Sequence, residues 1–592
     1  MSLTARTAVT RRLTVEAGGA PLTRTSADVA GPLLDALGGL PVRLPARTVL
    51  YIGGFPAPPH HVPDHFLDLP VRTAVTPGEA TRLAHEDLQA KRTDRALLAT
   101  LDDPATGTLT AQVLRRAAEA LADGDTVVGL LEFAPGGHFT AEQPVLRPLR
   151  HGGHRPDPDT PRLVIWSGLD TGDETRVRGE LLTLVERLDP EGFAALPTAP
   201  PHGRALGPVR ATAVTTAHEA PAAIAKARTV TTRHPRPVAL LFPGQGSQHT
   251  AMAAGLYGRE PVFTAAIDAV FELLEEVGPA IRADWLGALE GRAPTIGIDD
   301  VRRAQPLLFA VDYALGRMVL GWGVRPAAVL GHSAGELVAA TLAGVVSLSD
   351  AVGMMRERVV QAVKIPPGGM LAVGAAERVL RPYLTGDVAI AAVNAAQQTM
   401  LAGSTEVLAE VAERLRADGH IAVAVPATSP FHSPAMAPAS DLVELAYRGV
   451  QFAEPALPFY SGYTGDLMTA TEALSPRYWA RQITDTVNFA PALDQLLATE
   501  DVLLVEAGPR QTLTAFARRH RAVRLGASAA VPLLPARGGG GEDDRRSVLA
   551  AAAAIWSEGH DLDLDALAHL WTWHPEAAPA QQPAPAPAPV TA

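Results

Sequence analysis

The 592-residue chain has no cysteine, only three lysines (Lys91, Lys226 and Lys364), and 5% aromatic residues. Without cysteine there is no disulfide, no thiolate nucleophile and no cysteine-based metal site. No apolar run approaches the ~18 uninterrupted residues of a membrane span. The N-terminus, MSLTARTAVTRRLTVEAGG, carries arginines but no apolar signal core, so secretion is not expected and the expected compartment is the cytoplasm. An excess of positive charge is missing too. The formal net charge is −12, which argues against a nucleic-acid partner, because phosphate binding wants basic patches. The scarcity of lysine beside abundant arginine, alanine and proline reads as a GC-rich coding bias rather than as a function.

What remains is globular texture: 47% hydrophobic and 19% charged residues over a length that suits several domains. Residues 1–155 mix helix-like stretches, such as TAQVLRRAAEALADGD, with proline-rich connections. RHGGHRPDPDTPR (150–162) has linker composition. Residues 160–236 read as a small αβ unit, with the strand LVIW, the helix DETRVRGELLTLVERL, then RATAVTT and APAAIAKA. A large segment follows, over about 237–535. ARGGGGEDDRR (536–546) reads as a flexible break, SVLAAAAAIWSEG as a short amphipathic helix, and the alanine–proline tail (575–592) as an extended spacer.

Within the large segment, VRPAAVL reads as a buried strand and GELVAATLAG as a helix. Gly331-His332-Ser333-Ala334-Gly335 lies between them. A Gly-x-Ser-x-Gly sequence at a strand-to-helix junction is a nucleophile elbow, whose helix N-terminus offers N–H groups to a developing oxyanion. Taken alone, it equally describes a tight turn with an incidental serine. LFPGQGSQ (241–248) follows another apolar strand, and its Gly-Gln-Gly bend can present the Gln245 N–H to the same oxyanion, or simply be a loop that needs glycine. ATSPFHSPAM (427–436) sets His432 after the strand IAVAVP, where a general base for Ser333 would be wanted. A lone histidine is more often structural. His60, His61 and His65 are a metal-like cluster, but proline-rich loops with scattered histidines usually bind none, and no metal site is expected.

Between residues 369 and 428 the pattern runs MLAVGA, AERVLRPYL, VAIAAVN, QTMLAGS, TEVLAEVAERLRADG, IAVAVP. That β-α-β-β-α-β order is ferredoxin-like, inserted into a larger parallel αβ core. The cleft between the two would bring serine and histidine face to face. Upstream, SLSDAVGMMRERVVQAV reads as a helix with Ser347 and Asp350 as a capping box. Its buried stripe is Leu348, Val352, Met355, Val359 and Val363; Arg358 adjoins that stripe, and Arg356 lies well round the helix.

The stretches FPGQGSQ, GHSAGE and FHSPAM, in this order, resemble the malonyl-CoA:acyl carrier protein transacylase family, in the form found as acyltransferase domains of polyketide synthases. The resemblance covers about residues 237–535 and extends to AAVNAAQQTMLAGS, YWARQITDTVNFAPAL and VEAGPRQTL; Gln482 stands where the family usually has Asn or His. It implies a Ser333–His432 dyad oriented by a backbone carbonyl, and an oxyanion hole from the Gln245 and Ala334 N–H groups. It also implies that Arg358, 25 residues beyond the serine, clamps the free carboxylate of a dicarboxylic acyl group such as malonyl; a planar guanidinium suits that task. In the family, Phe at the position of Phe431 accompanies malonyl selectivity. A phenyl ring fills the space that a C2 methyl would need, and one methyl is worth only ~1–3 kcal/mol of discrimination. Ser429 and Pro430 match neither usual tetrapeptide, which leaves an unusual extender open.

The resemblance also likens 160–236 to the ketosynthase-to-acyltransferase linker domain, and DLDLDALAHLW to the post-acyltransferase segment (536–574). Residues 1–155, far too short for a ketosynthase and lacking its cysteine, are a noncatalytic remnant or docking region. The expected fold is therefore α/β: an α/β-hydrolase-like parallel-sheet core with an inserted ferredoxin-like subdomain, preceded by a small αβ linker domain. The expected activity is ping-pong transfer of an acyl group, malonyl first, from acyl-CoA to the 4'-phosphopantetheine thiol of an acyl carrier protein in polyketide synthesis. A ketosynthase or other synthase modules are further partners, and no bound cofactor, nucleic acid or membrane is expected. An acyl hydrolase and a noncatalytic scaffold are the rival readings.

Overall fold

In the computed structural model the chain forms two compact units, residues 1–152 and 153–592. The structure describes residues 159–568, apart from 195, 197–206, 233, 426 and 539, together with seven strands between residues 7 and 148. Those strands are β1 (Thr7–Val15), β2 (Thr48–Gly53), β3 (Val71–Ala74), β4 (Arg95–Asp103), β5 (Thr108–Arg116), β6 (Gly129–Glu132) and β7 (Val145–Pro148). They form one mixed sheet in the order β3-β2-β4-β5-β1-β6-β7, with β2 parallel to β3 and β4 and the remaining pairs antiparallel. The stretch from Thr110, expected to be helix-like, instead begins inside β5. It is paired with β4 on one edge and β1 on the other, and these ladders outweigh the helix propensity of its alanines and arginines. His60, His61 and His65 lie outside the described residues, as does the alanine–proline tail.

The second unit opens with an antiparallel sheet of β8 (Arg162–Gly168), β9 (Val209–Thr215) and β10 (Thr229–Thr231), in the order β10-β9-β8. The helix Thr171–Val185 packs on it, capped by Asp170, whose carboxylate accepts from the Asp173 N–H. The main core is a parallel sheet of β11 (Val238–Phe242), β12 (Ala328–Gly331), β17 (Phe459–Tyr460), β18 (Leu503–Glu506) and β19 (Ala529–Pro532). Its order is β17-β12-β11-β18-β19. Helices cover both faces, so a strand such as VALLF is buried at every position and reads as a continuous apolar run. β12 is shorter than the expected strand: only Ala328–Gly331 pairs, after the Arg325-Pro326 step.

The insert consists of β13 (Gly368–Val373), β14 (Ala389–Ala395), β15 (Gln398–Ser404) and β16 (Ala422–Val425), with helices at Glu377–Leu380 and Thr405–Ala417. The sheet is antiparallel in the order β14-β15-β13-β16, the ferredoxin-like arrangement. A parallel bridge between Ala392 and Val487 joins this subdomain to the main body.

The segment around 541–546, expected as a flexible break, is the first turn of a helix, Gly541–Ser557. Glu542, Asp543 and Asp544 complement the N-terminal end of its dipole. Val548, Leu549, Ile555 and Trp556 are buried in the main core. Arg210 on β9 lies 4.3 Å over the Trp556 ring and bonds Asp561 at 2.8 Å, which fastens the end of this helix to the first small sheet.

Candidate active site

Parallel strands end on the same side of a sheet, so the loops after β11, β12, β17 and β18 converge there. Ser333 follows β12. Neighbouring strand order puts Gln245, after β11, on one flank of it and Tyr463, after β17, on the other. The elbow is sterically tight. A Cβ on Gly331 would sit 2.2 Å from Glu336 Cα, and one on Gly335 would sit 2.2 Å from the Phe242 carbonyl oxygen. Ser333 itself holds a left-handed backbone, φ 52°.

His432 comes from the turn that leaves the inserted subdomain, also left-handed at φ 63°. Its N–H donates to the Ile483 carbonyl at 2.8 Å, and its Nδ1 lies 3.0 Å from the Asp485 carbonyl. A carbonyl can only accept, so Nδ1 carries the proton and Nε2 is the acceptor facing Ser333 Oγ at 2.6 Å. Burial, then the charges of His332 and Arg358, push the His432 pKa down to about 3, so the ring is a neutral base. His332, the elbow's own histidine, has Nε2 2.8 Å from Asn394 Oδ1 on β14, a direct tie between elbow and insert.

On the opposite flank, a Cβ on Gly244 would come within 2.6 Å of the His332 carbonyl oxygen, so the Gly244-Gln245 loop touches the elbow. Neither the Gln245 nor the Ala334 N–H donates to a protein acceptor among the described residues. Arg510, itself left-handed, braces this loop through its Nε to the Ser247 carbonyl at 3.1 Å. Gln305, buried on the helix Val301–Gly321, reaches Gln245 Oε1 at 3.4 Å.

Arg358 is 3% exposed on the helix Leu348–Ala362. No nitrogen of its guanidinium forms an ion pair or hydrogen bond among the described residues, and Nε is buried without a partner. Arg356, in contrast, reaches out to Glu275 at 2.9 Å. The rest of the helix differs in two details from the sequence expectation. Ser347 accepts from the Asp350 N–H, but the Asp350 carboxylate accepts a hydrogen bond from the Ser347 hydroxyl instead of closing a capping box on its backbone N–H. Val363 is half exposed at the C-cap, and Ala362 takes the buried place.

The neighbouring buried carboxyl, Glu336, does not pair with Arg358. It receives the Gly462 N–H at 2.7 Å, Gln482 Nε2 at 3.2 Å, the Ser461 hydroxyl at 3.3 Å and the Tyr478 hydroxyl. Burial pushes its pKa up to about 8 against the pull of those bonds. Phe431 is 4% exposed and belongs to the main core, with its ring 6.4 Å from that of His432. The structure thus brings Ser333, His432, Gln245, Ala334, Arg358 and Phe431 into one region. Sequence reasoning passed over Glu336, Tyr463, Asn394 and Arg510, although the first lies inside GHSAGE and the last inside VEAGPRQTL. Glu336 meets Ser461 from 125 residues away, and Arg510 meets Ser247 from 263 residues away, so no local spacing announces them.

Residues 239–539 match the family model described as the acyl transferase domain. The chain belongs to this family. It is 38% identical over 280 residues to mycoketide-CoA synthase of Mycobacterium tuberculosis, a match covering 46% of this chain and 6% of the relative. It is 36% identical over 288 residues to polyketide synthase GfsA of Streptomyces halstedii, covering 47% of this chain and 4% of the relative. The chain therefore spans only a small fraction of the length of these relatives. Among solved structures, the acyl transferase domain of SpnD, in complex with 2-(pent-4-yn-1-yl)malonyl, aligns with a TM-score of 0.60 at 26% identity, covering 69% of this chain and 97% of that one. The acyltransferase domain from the second module of the salinomycin polyketide synthase aligns at 0.55 and 30%, covering 68% and 94%. No described helix of this acyl transferase is long and apolar enough to cross a membrane.

Proposed function

We propose that this acyl transferase moves a dicarboxylic acyl group, malonyl first among them, from CoA to the phosphopantetheine thiol of an acyl carrier protein. Its working context is polyketide biosynthesis, beside a ketosynthase or other synthase modules. The observation that carries this reading is a buried guanidinium, Arg358, with no acceptor of its own among the described residues, next to a serine hydroxyl 2.6 Å from a neutral histidine. A buried cation without a counter-charge is costly, and the free carboxylate of a malonyl group would supply both the charge and the hydrogen-bond acceptors.

The positions of the atoms support the following reaction. Ser333 Oγ attacks the thioester carbonyl carbon while His432 Nε2 takes its proton. The oxyanion forms toward the Gln245 and Ala334 N–H groups. The C–S bond breaks, and the imidazolium returns its proton to the departing CoA sulfur. In the second half, the carrier thiol gives its proton to Nε2 and attacks the serine ester. Ser333 then leaves with that proton. Asp485's carbonyl holds the Nδ1–H throughout, so the same ring nitrogen serves both halves. No bound cofactor is required by this scheme: acyl-CoA is donor and phosphopantetheine is acceptor. Phe431, against His432, would fill the volume that a C2 methyl needs.

The test is intact-mass analysis after incubation with malonyl-CoA, methylmalonyl-CoA and acetyl-CoA together. A malonyl adduct that is absent in Ser333→Ala and weakened in Arg358→Ala supports the reading. Free CoA accumulating without an adduct would make the protein an acyl hydrolase. Neither adduct nor CoA would favour a scaffold or an extender outside this panel.

A further inference from the structure

Tyr463 lies in the loop after β17, on the flank of Ser333 opposite to Gln245. Its ring is 6.0 Å from that of His432 and 6.4 Å from that of Tyr478, so it is wedged between the base and the Glu336 network. Its backbone is held on both sides: the N–H donates to Ser461 Oγ at 3.0 Å, and the carbonyl accepts from Asn488 Nδ2 at 2.7 Å. Only 8% of the residue is exposed, yet its hydroxyl oxygen is buried with no hydrogen-bond partner among the described residues. Leaving such a group unsatisfied costs on the order of 1–3 kcal/mol. A rigidly mounted tyrosine with an idle hydroxyl in an active site is waiting for an acceptor.

Which acceptor is narrowed by the surroundings. Burial pushes the phenol's pKa up, so it stays a neutral O–H donor, and Arg358, Glu336, Ser333 and Asp485 are the groups near enough to act on it. Glu336 is already occupied by four donors. Ser333 Oγ donates to His432 Nε2; it is close enough to act on the phenol as an acceptor, but the two hydroxyls do not meet at hydrogen-bond geometry. The Asp485 carboxylate is taken up by Arg481 at 2.8 Å. The oxyanion belongs to the other flank, where Gln245 lies. What is left is the group that Arg358 also lacks.

We propose that the Tyr463 hydroxyl donates a hydrogen bond to the free carboxylate of the acyl donor, sharing it with the Arg358 guanidinium, and so makes Tyr463 a specificity-determining residue. This rests on the dicarboxylic-donor reading above and deepens it. A carboxylate has two oxygens and about four acceptor directions, so a guanidinium fork leaves room for one further donor. A monocarboxylic acyl group offers neither, and would bury two unsatisfied polar groups instead of none.

The experiment is a double-mutant cycle on acyl-enzyme formation, with kcat and KM measured for malonyl-CoA and acetyl-CoA in the wild type, Tyr463→Phe, Arg358→Met and the double variant. Tyr463→Phe is expected to lower the malonyl-to-acetyl ratio of kcat/KM by about 10- to 100-fold, the span of a hydrogen bond to a charged group. Its effect on malonyl transfer should shrink severalfold when Arg358 is already replaced, because the carboxylate is then no longer held. The pH profile of acylation should stay in place. An equal loss for both donors, or a shifted pH profile, would overturn the proposal and make Tyr463 a positioning residue for the dyad. An unchanged ratio would overturn it outright. If the wild type itself prefers acetyl-CoA, the dicarboxylic reading fails first, and Tyr463 is not the cause. Thermal melting of Tyr463→Phe within ~2 °C of wild type, a small shift for a domain of this size, separates these outcomes from misfolding.

Discussion

Ser333 Oγ lies 2.6 Å from His432 Nε2, and both residues hold a left-handed backbone, with φ of 52° and 63°. Each such conformation costs roughly 1–2 kcal/mol for a residue with a Cβ. The fold sustains both because the elbow is wedged between Phe242 and Glu336, and the histidine turn is pinned by Ile483 and Asp485. Strain of this kind clusters at active sites, so its presence at two facing side chains supports the proposed pairing of nucleophile and base. We expect Ser333→Ala to abolish the acyl adduct, and His432→Gln to slow its formation by about 10²- to 10⁴-fold. Rapid-quench mass analysis measures both; adduct formation at wild-type rate in His432→Gln would remove the histidine from the mechanism.

The depressed pKa of His432, about 3, sets the pH dependence. A base must be neutral to act, so acylation by malonyl-CoA should hold its rate as pH falls from about 8 to about 5.5, past the point where an ordinary histidine near 6.5 would be half protonated. A pH–rate profile with its midpoint near 6.5 would contradict the burial argument. Circular dichroism at each pH checks that the fold persists.

Arg358 makes an opposite pair of demands. Arg358→Met should lower malonyl kcat/KM by about 100-fold or more, since a charge-assisted bidentate contact is lost. The same change should leave the melting temperature equal or higher, because an unpaired buried charge is replaced by an apolar chain of similar length. A large fall in melting temperature would mean that the guanidinium has a structural partner.

Stability should fall as pH rises from about 6.5 to about 8.5. Glu260, Asp268, Glu506 and Asp544 are pushed by burial to about 7, and Glu336 to about 8. Unfolded, each would titrate near 4, so in this window the folded state binds more protons, and raising the pH costs stability. His432 and His249, with depressed pKa values, act the other way only below about 6.5, where the unfolded histidine takes a proton that the folded one refuses. Scanning calorimetry across the window measures the slope, which Glu336→Gln should flatten. A stability that is constant from 6.5 to 8.5 would refute it.

Removing residues beyond 540 should destabilise the second unit severely, although the family match ends at 539. The helix Gly541–Ser557 buries Trp556, Ile555, Leu549 and Val548 in the main core, each worth roughly 1.5–3 kcal/mol. Trp556→Ala alone should cost about 3–5 kcal/mol in urea unfolding. A truncated protein that melts like the full chain would show the helix to be dispensable.

Much was legible in the sequence because its causes are local. The glycines of the elbow are demanded by atoms only a few residues away or on the adjoining strand, and Ser347 caps its helix three residues on. The β-α-β-β-α-β order of the insert is a succession of periods along the chain, and the sheet order β14-β15-β13-β16 follows from it. Arg358 is singled out by the family resemblance; the helical period shows only that it adjoins the apolar stripe, and its burial is a finding of the structure.

Other features depend on residues that only tertiary structure brings together. Residues 110–116 are a strand because two partners flank them, and residues 541–546 are helical because a core waits for the turns that follow. The four donors of Glu336 come from positions 461 to 482, and the idle hydroxyl of Tyr463 has meaning only because β17 sits next to β12. Motifs record short-range sterics and hydrogen bonds, whereas partnership, burial and the lack of a partner are properties of the packed sheet. The sequence by itself determined the parallel core and marked Ser333 and His432 as the candidate nucleophile and base on it. Tertiary structure alone decided which buried polar groups are satisfied, because that depends on every neighbour at once.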